Sequence, residues 1–385
     1  MNKKSLLLLM TACTIFQYNF IFAAGYYTRL NWGCTCSTEG TGSGTLIAAY
    51  NNTTNNSCQI LAFSSTCSQH ASSLSFPGEQ NFSIAVANTD TAIYVAFSNY
   101  SSAYEAIVRV CTYTDGGGFS STQPIGISST TTHALVQWYG LSTTDNTVFL
   151  ATETNLAVFV FKVFINPLYV SNIFNSVIKN TTNDTSIFLY WYQQTSTPGA
   201  GLYLLRGHHK NQVEVYTVGL SQTSPSIKYL QNVDLTGTMY QLDTCATCQD
   251  YLVFGGLNDS NLGGGIIQYT VDGSGGLVSG NSYGSAQYES LLDSGPVMHI
   301  EKCCCTEGQL LIVGTMGVLT FPATNWSYLT KPISANFNGV WSDCCWCCTG
   351  TNTLAVIDYN TQNGYILQQA APNFNQICTL PNPPA

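Results

Sequence analysis

A chain of 385 residues can bury a large core, and its length alone allows two or three domains. Only 8% of the residues are charged while 45% are hydrophobic, which excludes a disordered chain and disfavours long solvent-facing helices built on Lys and Glu. The 11 Lys and Arg are outnumbered by 20 Asp and Glu and form no phosphate-binding cluster, so nucleic acid is not an expected partner.

The first segment reads as a targeting signal over residues 1–24. "MNKK" supplies a positive start, "SLLLLM" opens an apolar run, and Ala23 and Ala24 offer a small-residue cleavage site. Thr11, Thr14, Gln17, Tyr18 and Asn19 interrupt the apolar run that a membrane span would need, and no later segment supplies one. A rival reading exists: "LMTAC" resembles a bacterial lipobox, which would put a lipid anchor on Cys13. Either way the protein is expected to be exported, to the periplasm, cell envelope or extracellular space. Loss of Cys13 with the leader leaves an odd number of the 16 cysteines, so at least one thiol is free, modified or paired between chains.

From residue 25 onward short apolar runs recur. They are "TLIAAY" from Thr45, "IYVAF" from Ile93, "VFLAT" from Val148, "LYLLRG" from Leu202, "YLVFGG" from Tyr251, "LLIVGT" from Leu310 and "LAVIDY" from Leu354. Their mean spacing is about 51 residues, and each is too short for a helix. An apolar segment such as "HALVQWYG" or "SIFLYWYQ" precedes each run. A strand-like segment such as "AIVRVCTYT" or "QVEVYTV" follows it. With a fourth, more variable strand, this order predicts an all-β, single-domain, seven-bladed β-propeller of four-stranded antiparallel blades over 25–385. The expected blades are approximately 26–78, 79–128, 129–180, 181–234, 235–294, 295–334 and 335–382. A tandem pair of β-sandwiches predicts regular strand spacing, but not one four-part order repeated seven times.

Within the repeat, "GGIIQYTVDGSGGLVSG" (264–280) resembles the strand, Asp, Gly-rich turn and Leu pattern of YVTN/lactonase-type propellers, and the general layout is similar to WD40-like propellers. The resemblance is one of fold. It implies the ring, and no lactonase catalytic residue maps onto a position here. "YYTRLNWGC" reads as the innermost strand of blade 1 and "FNQICTL" as an outer strand of blade 7. The chain then closes without a shared terminal strand and needs another clasp.

The cysteines follow the repeat. Cys34 and Cys36, Cys245 and Cys248, Cys303, Cys304 and Cys305, and Cys344, Cys345, Cys347 and Cys348 are expected between the first and second strands of blades 1, 5, 6 and 7. These blades are consecutive in a closed ring. Disulfides between neighbouring blades, a thiolate metal site and a redox centre all fit that clustering; export favours disulfides. Cys58 and Cys67 flank an outer strand of blade 1 and could staple its edge, Cys378 lies where a clasp is wanted, and Cys111 reads as a small buried hydrophobe.

Titratable groups are scarce. "RGHHK" holds Arg206, His208 and His209 in the loop after the second strand of blade 4, and the matching loops carry Glu153, Asp259 and Asp358. These six form the candidate binding set at the channel mouth. The sequence carries no G-x-S-x-G, H-E-x-x-H or phosphate-loop motif. N-x-[ST] sequons at Asn51, Asn52, Asn55, Asn81, Asn99, Asn180, Asn183, Asn258 and Asn325 are expected on polar surface loops. The resulting expectation is a noncatalytic, monomeric binding or scaffolding module with no metal or cofactor, its partner an unknown protein or small ligand on the loop face. The alternative is a lactonase-like or other propeller hydrolase with a metal at the channel mouth.

Overall fold

The computed structural model describes residues 25–34, 44–88, 92–101, 106–125, 134–142, 147–154, 157–165, 168–177, 186–193, 202–208, 211–219, 226–237, 239–248, 251–258, 264–271, 276–283, 297–302, 309–314, 317–322, 335–336, 341–347, 353–358, 361–370 and 373–383. The leader, Cys13, Cys36, Cys303, Cys304, Cys305, Cys348, His209, Asp259 and the sequons at Asn180, Asn183 and Asn325 lie outside them.

The described strands form seven antiparallel sheets, each assembled in chain order from one contiguous stretch. They span 26–77, 79–125, 134–177, 186–234, 239–283, 297–336 and 341–379. Five have four strands of at least six residues, whereas the outer strands of blades 2 and 6 are abbreviated. Blade 2 ends in two short pieces, Gly118–Phe119 and Gln123–Ile125, both paired with Ala106–Thr114. Gly118 has a φ of +75°, and a Cβ there would meet the Ser72 side chain at 2.4 Å. That close approach lets the Phe119 amide donate to Ser72 Oγ at 2.9 Å and ties the outer edges of blades 1 and 2 together.

Each recurring apolar run is the second strand of its sheet and is hydrogen-bonded on both edges. In Gly44–Asn52 every residue after Gly44 is buried. First strands are bulged near their starts in blades 1, 2, 4, 5, 6 and 7. A bulge adds local twist, so its recurrence gives successive blades a common pitch.

Among the described residues the apolar clusters join neighbouring blades. Leu30 and Trp32 of blade 1 pack with Ala355, Ile357 and Ile366 of blade 7. Ile47 and Ile60 of blade 1 also meet Val95 and Phe97 of blade 2, and Leu205 of blade 4 meets Leu252 and Phe254 of blade 5. The first strands touch their neighbours in cyclic order, and the first strand of blade 7, Trp341–Cys347, touches that of blade 1, Tyr26–Cys34. The ring is a β-propeller, and its apolar core lies between blades.

Among the described residues no strand is shared where the ring closes. The clasp consists of the Cys67–Cys378 disulfide, a hydrogen bond of 2.6 Å from the Tyr27 hydroxyl to the Pro381 carbonyl, and one of 3.3 Å from the Tyr27 amide to the Gln362 carbonyl. The edge staple between Cys58 and Cys67 does not form. Cys58 lies within Ser57–Ser64 as a fully buried free thiol, packed against blade 2, while Cys67 follows that strand and crosses to blade 7.

Candidate functional site

Of the candidate binding set, Glu153, His208 and Asp358 lie at the ends of second strands, on the rim formed by the second-to-third strand hairpins. Register places Glu153 opposite Leu135 and Val158, and His208 opposite Ser186 and Gln212, both at the hairpin end of second strands in adjacent blades. Arg206 serves the blade itself. Its side chain is fully buried, it lies directly across from Glu214, and Nη1 sits 3.2 Å from that carboxylate. The Tyr216 hydroxyl donates to the same carboxylate oxygen at 2.5 Å. Asp358 caps a turn: its carboxylate accepts from the Thr361 amide at 2.7 Å, and its carbonyl accepts from the Gln362 amide at 2.8 Å. That turn presents the Gln362 carbonyl to Tyr27, so Asp358 supports the closing seam. Among the described residues no group of three or more His, Cys, Asp or Glu is arranged to hold a metal ion.

Beside this rim, the turn after His208 docks onto blade 5. Asn211, in the left-handed region at φ +65°, donates its amide to the Tyr240 carbonyl at 3.0 Å and accepts from the Leu235 amide at 2.6 Å. Tyr240 is 41% exposed. Further out, Gln231 of blade 4 exchanges two hydrogen bonds with the Leu277 backbone of blade 5. Tyr229, Leu230 and Val278 flank this bridge as exposed apolar side chains, Tyr229 being 56% exposed. Charge-based reading of the sequence missed this patch, which alternation along the outer strands could have flagged.

A second omission is a buried polar network between blades 1 and 2. Glu79 and Arg109 form a bidentate pair at 2.6 and 2.7 Å. Asn99 donates to Glu79 at 3.0 Å, Asn81 donates to Asn99 at 3.2 Å, and the Asn81 amide donates to Asn51 at 2.9 Å. Asn51, Asn52, Asn81 and Asn99 are therefore buried strand residues, which corrects their expected place on surface loops. The available signal was Arg109, a cation inside the apolar strand "AIVRVCTYT", where burial demands a partner.

The cysteine-bearing rim lies at the opposite ends of the first strands. Cys34, Cys245, Cys248, Cys344, Cys345 and Cys347 fall within first strands, which corrects their assignment to the following loops. Cys245 is not in a disulfide. It is a buried free thiol packed with Tyr203, Leu205 and Val213 of blade 4, which offers it no cysteine. Burial pushes the Cys111 thiol up to about 12 and raises those of Cys58 and Cys245 as well, so at pH 8 all three stay protonated. Alkylation of the native protein at pH 8 is expected to leave these three unmodified, whereas alkylation in denaturant modifies all three. Peptide mapping of the modified positions checks this, and native-state labelling of Cys111 would contradict its burial.

The ring, its seam and its two rims define the protein as a β-propeller. No protein-family model matches the chain, and no curated protein matches it. Among solved structures it is similar to a protein from Lactobacillus plantarum, at 12% identity and a TM-score of 0.56, over 92% of this chain and 96% of that one. It is also similar to a candidate 6-phosphogluconolactonase from Bacteroides uniformis, at 12% identity and a TM-score of 0.54, over 92% and 94% of the two chains. At such identities the likeness is one of fold.

Proposed function

We propose that this propeller is an exported binding or scaffolding module. The observation that carries the reading is the apolar patch of Tyr229, Leu230 and Val278, set on two blades whose outer strands Gln231 holds together. Exposed aromatic and aliphatic side chains on a rigid support suit a protein or small-ligand contact. The basic and acidic groups Arg206, Glu214, Arg109 and Glu79 meanwhile pair within their own blades. A disulfide suits an oxidising compartment, and among the described residues no helix is long and apolar enough to cross a membrane. Photo-cross-linkers placed at Tyr229 and Val278 in the exported protein are expected to trap one discrete species. A cross-linker at the exposed Ser73 of blade 1 is expected to trap none.

The second reading is a lactonase-like hydrolase, favoured by the adjacent rim positions of Glu153 and His208. Hydrolysis of sugar lactones, measured with and without added divalent metal, separates the two readings. Turnover that Glu153→Gln and His208→Ala both abolish replaces the binding reading with the enzyme.

A further inference from the structure

We infer that Arg29 binds the carboxylate or phosphate group of a small molecule in the central channel. The first strands touch in cyclic order, so Tyr26–Cys34 of blade 1 and Glu79–Asn88 of blade 2 stand side by side as innermost strands of the ring. Both are bulged near their starts, and the register skips Thr28 in blade 1 and Phe82 in blade 2. A bulge takes its extra residue out of the ladder. Arg29 takes up the carbonyls of both extra residues: Nε donates to that of Phe82 at 3.1 Å and Nη1 to that of Thr28 at 3.3 Å. The guanidinium thus bridges the innermost strands of two blades.

Charge balance sets this residue apart from the other two arginines of the chain. Arg109 is paired with Glu79 and Arg206 with Glu214. Arg29 has only neutral carbonyl partners, and among the described residues no carboxylate pairs with it. With 20 acidic residues against 11 basic ones, the chain has carboxylates to spare, yet none is spent here. Both N–H groups of Nη2 are likewise without a partner among the described residues. Arg29 is half-buried, so solvent reaches the guanidinium. A permanently charged group with unengaged, parallel N–H donors matches an oxyanion, which accepts two such bonds at once.

The guanidinium is also held in place. Both of its bonds go to backbone, and the Thr28 hydroxyl lies 3.4 Å from Asn81 Oδ1, which joins the bulge to the network of Asn81, Asn99, Glu79 and Arg109. A donor fixed before the ligand arrives loses little freedom on binding. Tyr26 pairs with Asn51 beside the second-to-third hairpin of blade 1, and Arg29 follows three residues later, about 10 Å along the strand from that end. The mouth at that rim is the one on which Glu153 and His208 lie. This site is separate from the apolar patch of Tyr229 and Val278, so cross-linking there and anion binding here can fail independently.

The test is magnetic-resonance titration of the full chain, isotopically labelled at arginine, with sodium phosphate and separately with sodium gluconate, each against sodium chloride at equal ionic strength. Three arginines give three Nε–H signals. The signal that is missing from Arg29→Lys is expected to shift saturably, and the anion it follows separates a phosphate ligand from a carboxylate one. The signals of Arg109 and Arg206 should stay in place. An equal shift in sodium chloride means an adventitious ion only and overturns the inference, as does a wild type in which no arginine signal saturates. Phenylglyoxal modification locates the site without a variant: peptide mapping should find Arg29 modified in the free protein and protected by the bound anion. Modification of Arg29 at the same rate with and without the anions overturns the inference even if Arg29→Lys fails to fold.

Discussion

Replacing Cys378 by serine is expected to lower the melting temperature and to make the ring open first between blades 7 and 1. The Cys67–Cys378 bond spans a sequence separation of 311 residues. In the chain-entropy picture a loop of that length corresponds to about 6 kcal/mol, while loss of a native disulfide typically costs about 2–5 kcal/mol. The two hydrogen bonds from Tyr27 that remain, to Pro381 and Gln362, contribute about 1 kcal/mol each. The disulfide is therefore the largest discrete term in the observed clasp. Hydrogen exchange locates the opening: the amides of Tyr27 and Leu380 should exchange faster in Cys378→Ser, and those of blades 2 and 4 should not. Cys67→Ser should match it, and the double variant should add nothing, since both remove one bond. A uniform rise in exchange across all blades would show that the seam is not where the ring yields.

The second large effect is expected at Glu214. Its carboxylate faces the fully buried Arg206 guanidinium and accepts from the Tyr216 hydroxyl. Glu214→Leu removes the counter-charge of a buried cation. Breaking one side of such a pair costs about 3–5 kcal/mol, and Glu214 is one-fifth exposed, which places the effect near 3 kcal/mol. Replacing both partners, as Arg206→Met with Glu214→Leu, removes the charge as well as its partner and is expected to cost clearly less. Denaturant midpoints of the four proteins in this double-mutant cycle provide the measurement. If the double variant is less stable than Glu214→Leu alone, Arg206 contributes through packing rather than through its charge.

The architecture was legible because a buried second strand must be apolar on both faces, which left a mark such as "TLIAAY" or "YLVFGG" in every repeat. Counting those marks gives the sheets without any knowledge of side-chain contacts. The candidate site was much less legible. Arg206 reads as a rim cation because it adjoins "GHHK", yet its partner Glu214 lies on the neighbouring strand, and only register brings the two together. Asn81 and Asn99 read as surface sequons, since a three-residue motif says nothing about burial. The structure buries them because Glu79 and Arg109 need polar company between blades. The face that a cysteine such as Cys245 takes was not legible either, because it depends on bulges, and one inserted residue reverses which neighbour a strand position meets.

The contiguity of each sheet also has a consequence for how the molecule is made. A chain delivered N-terminus first can finish one blade after another, because every hydrogen-bonded pairing joins strands adjacent in the sequence or nearly so. Local pairings of this kind form early and quickly. Blade 1, however, waits with Leu30 and Trp32 uncovered until blade 7 is made. The first blade of the ring is thus the last to have this face buried, and in that interval the nascent ring is most exposed to misassociation.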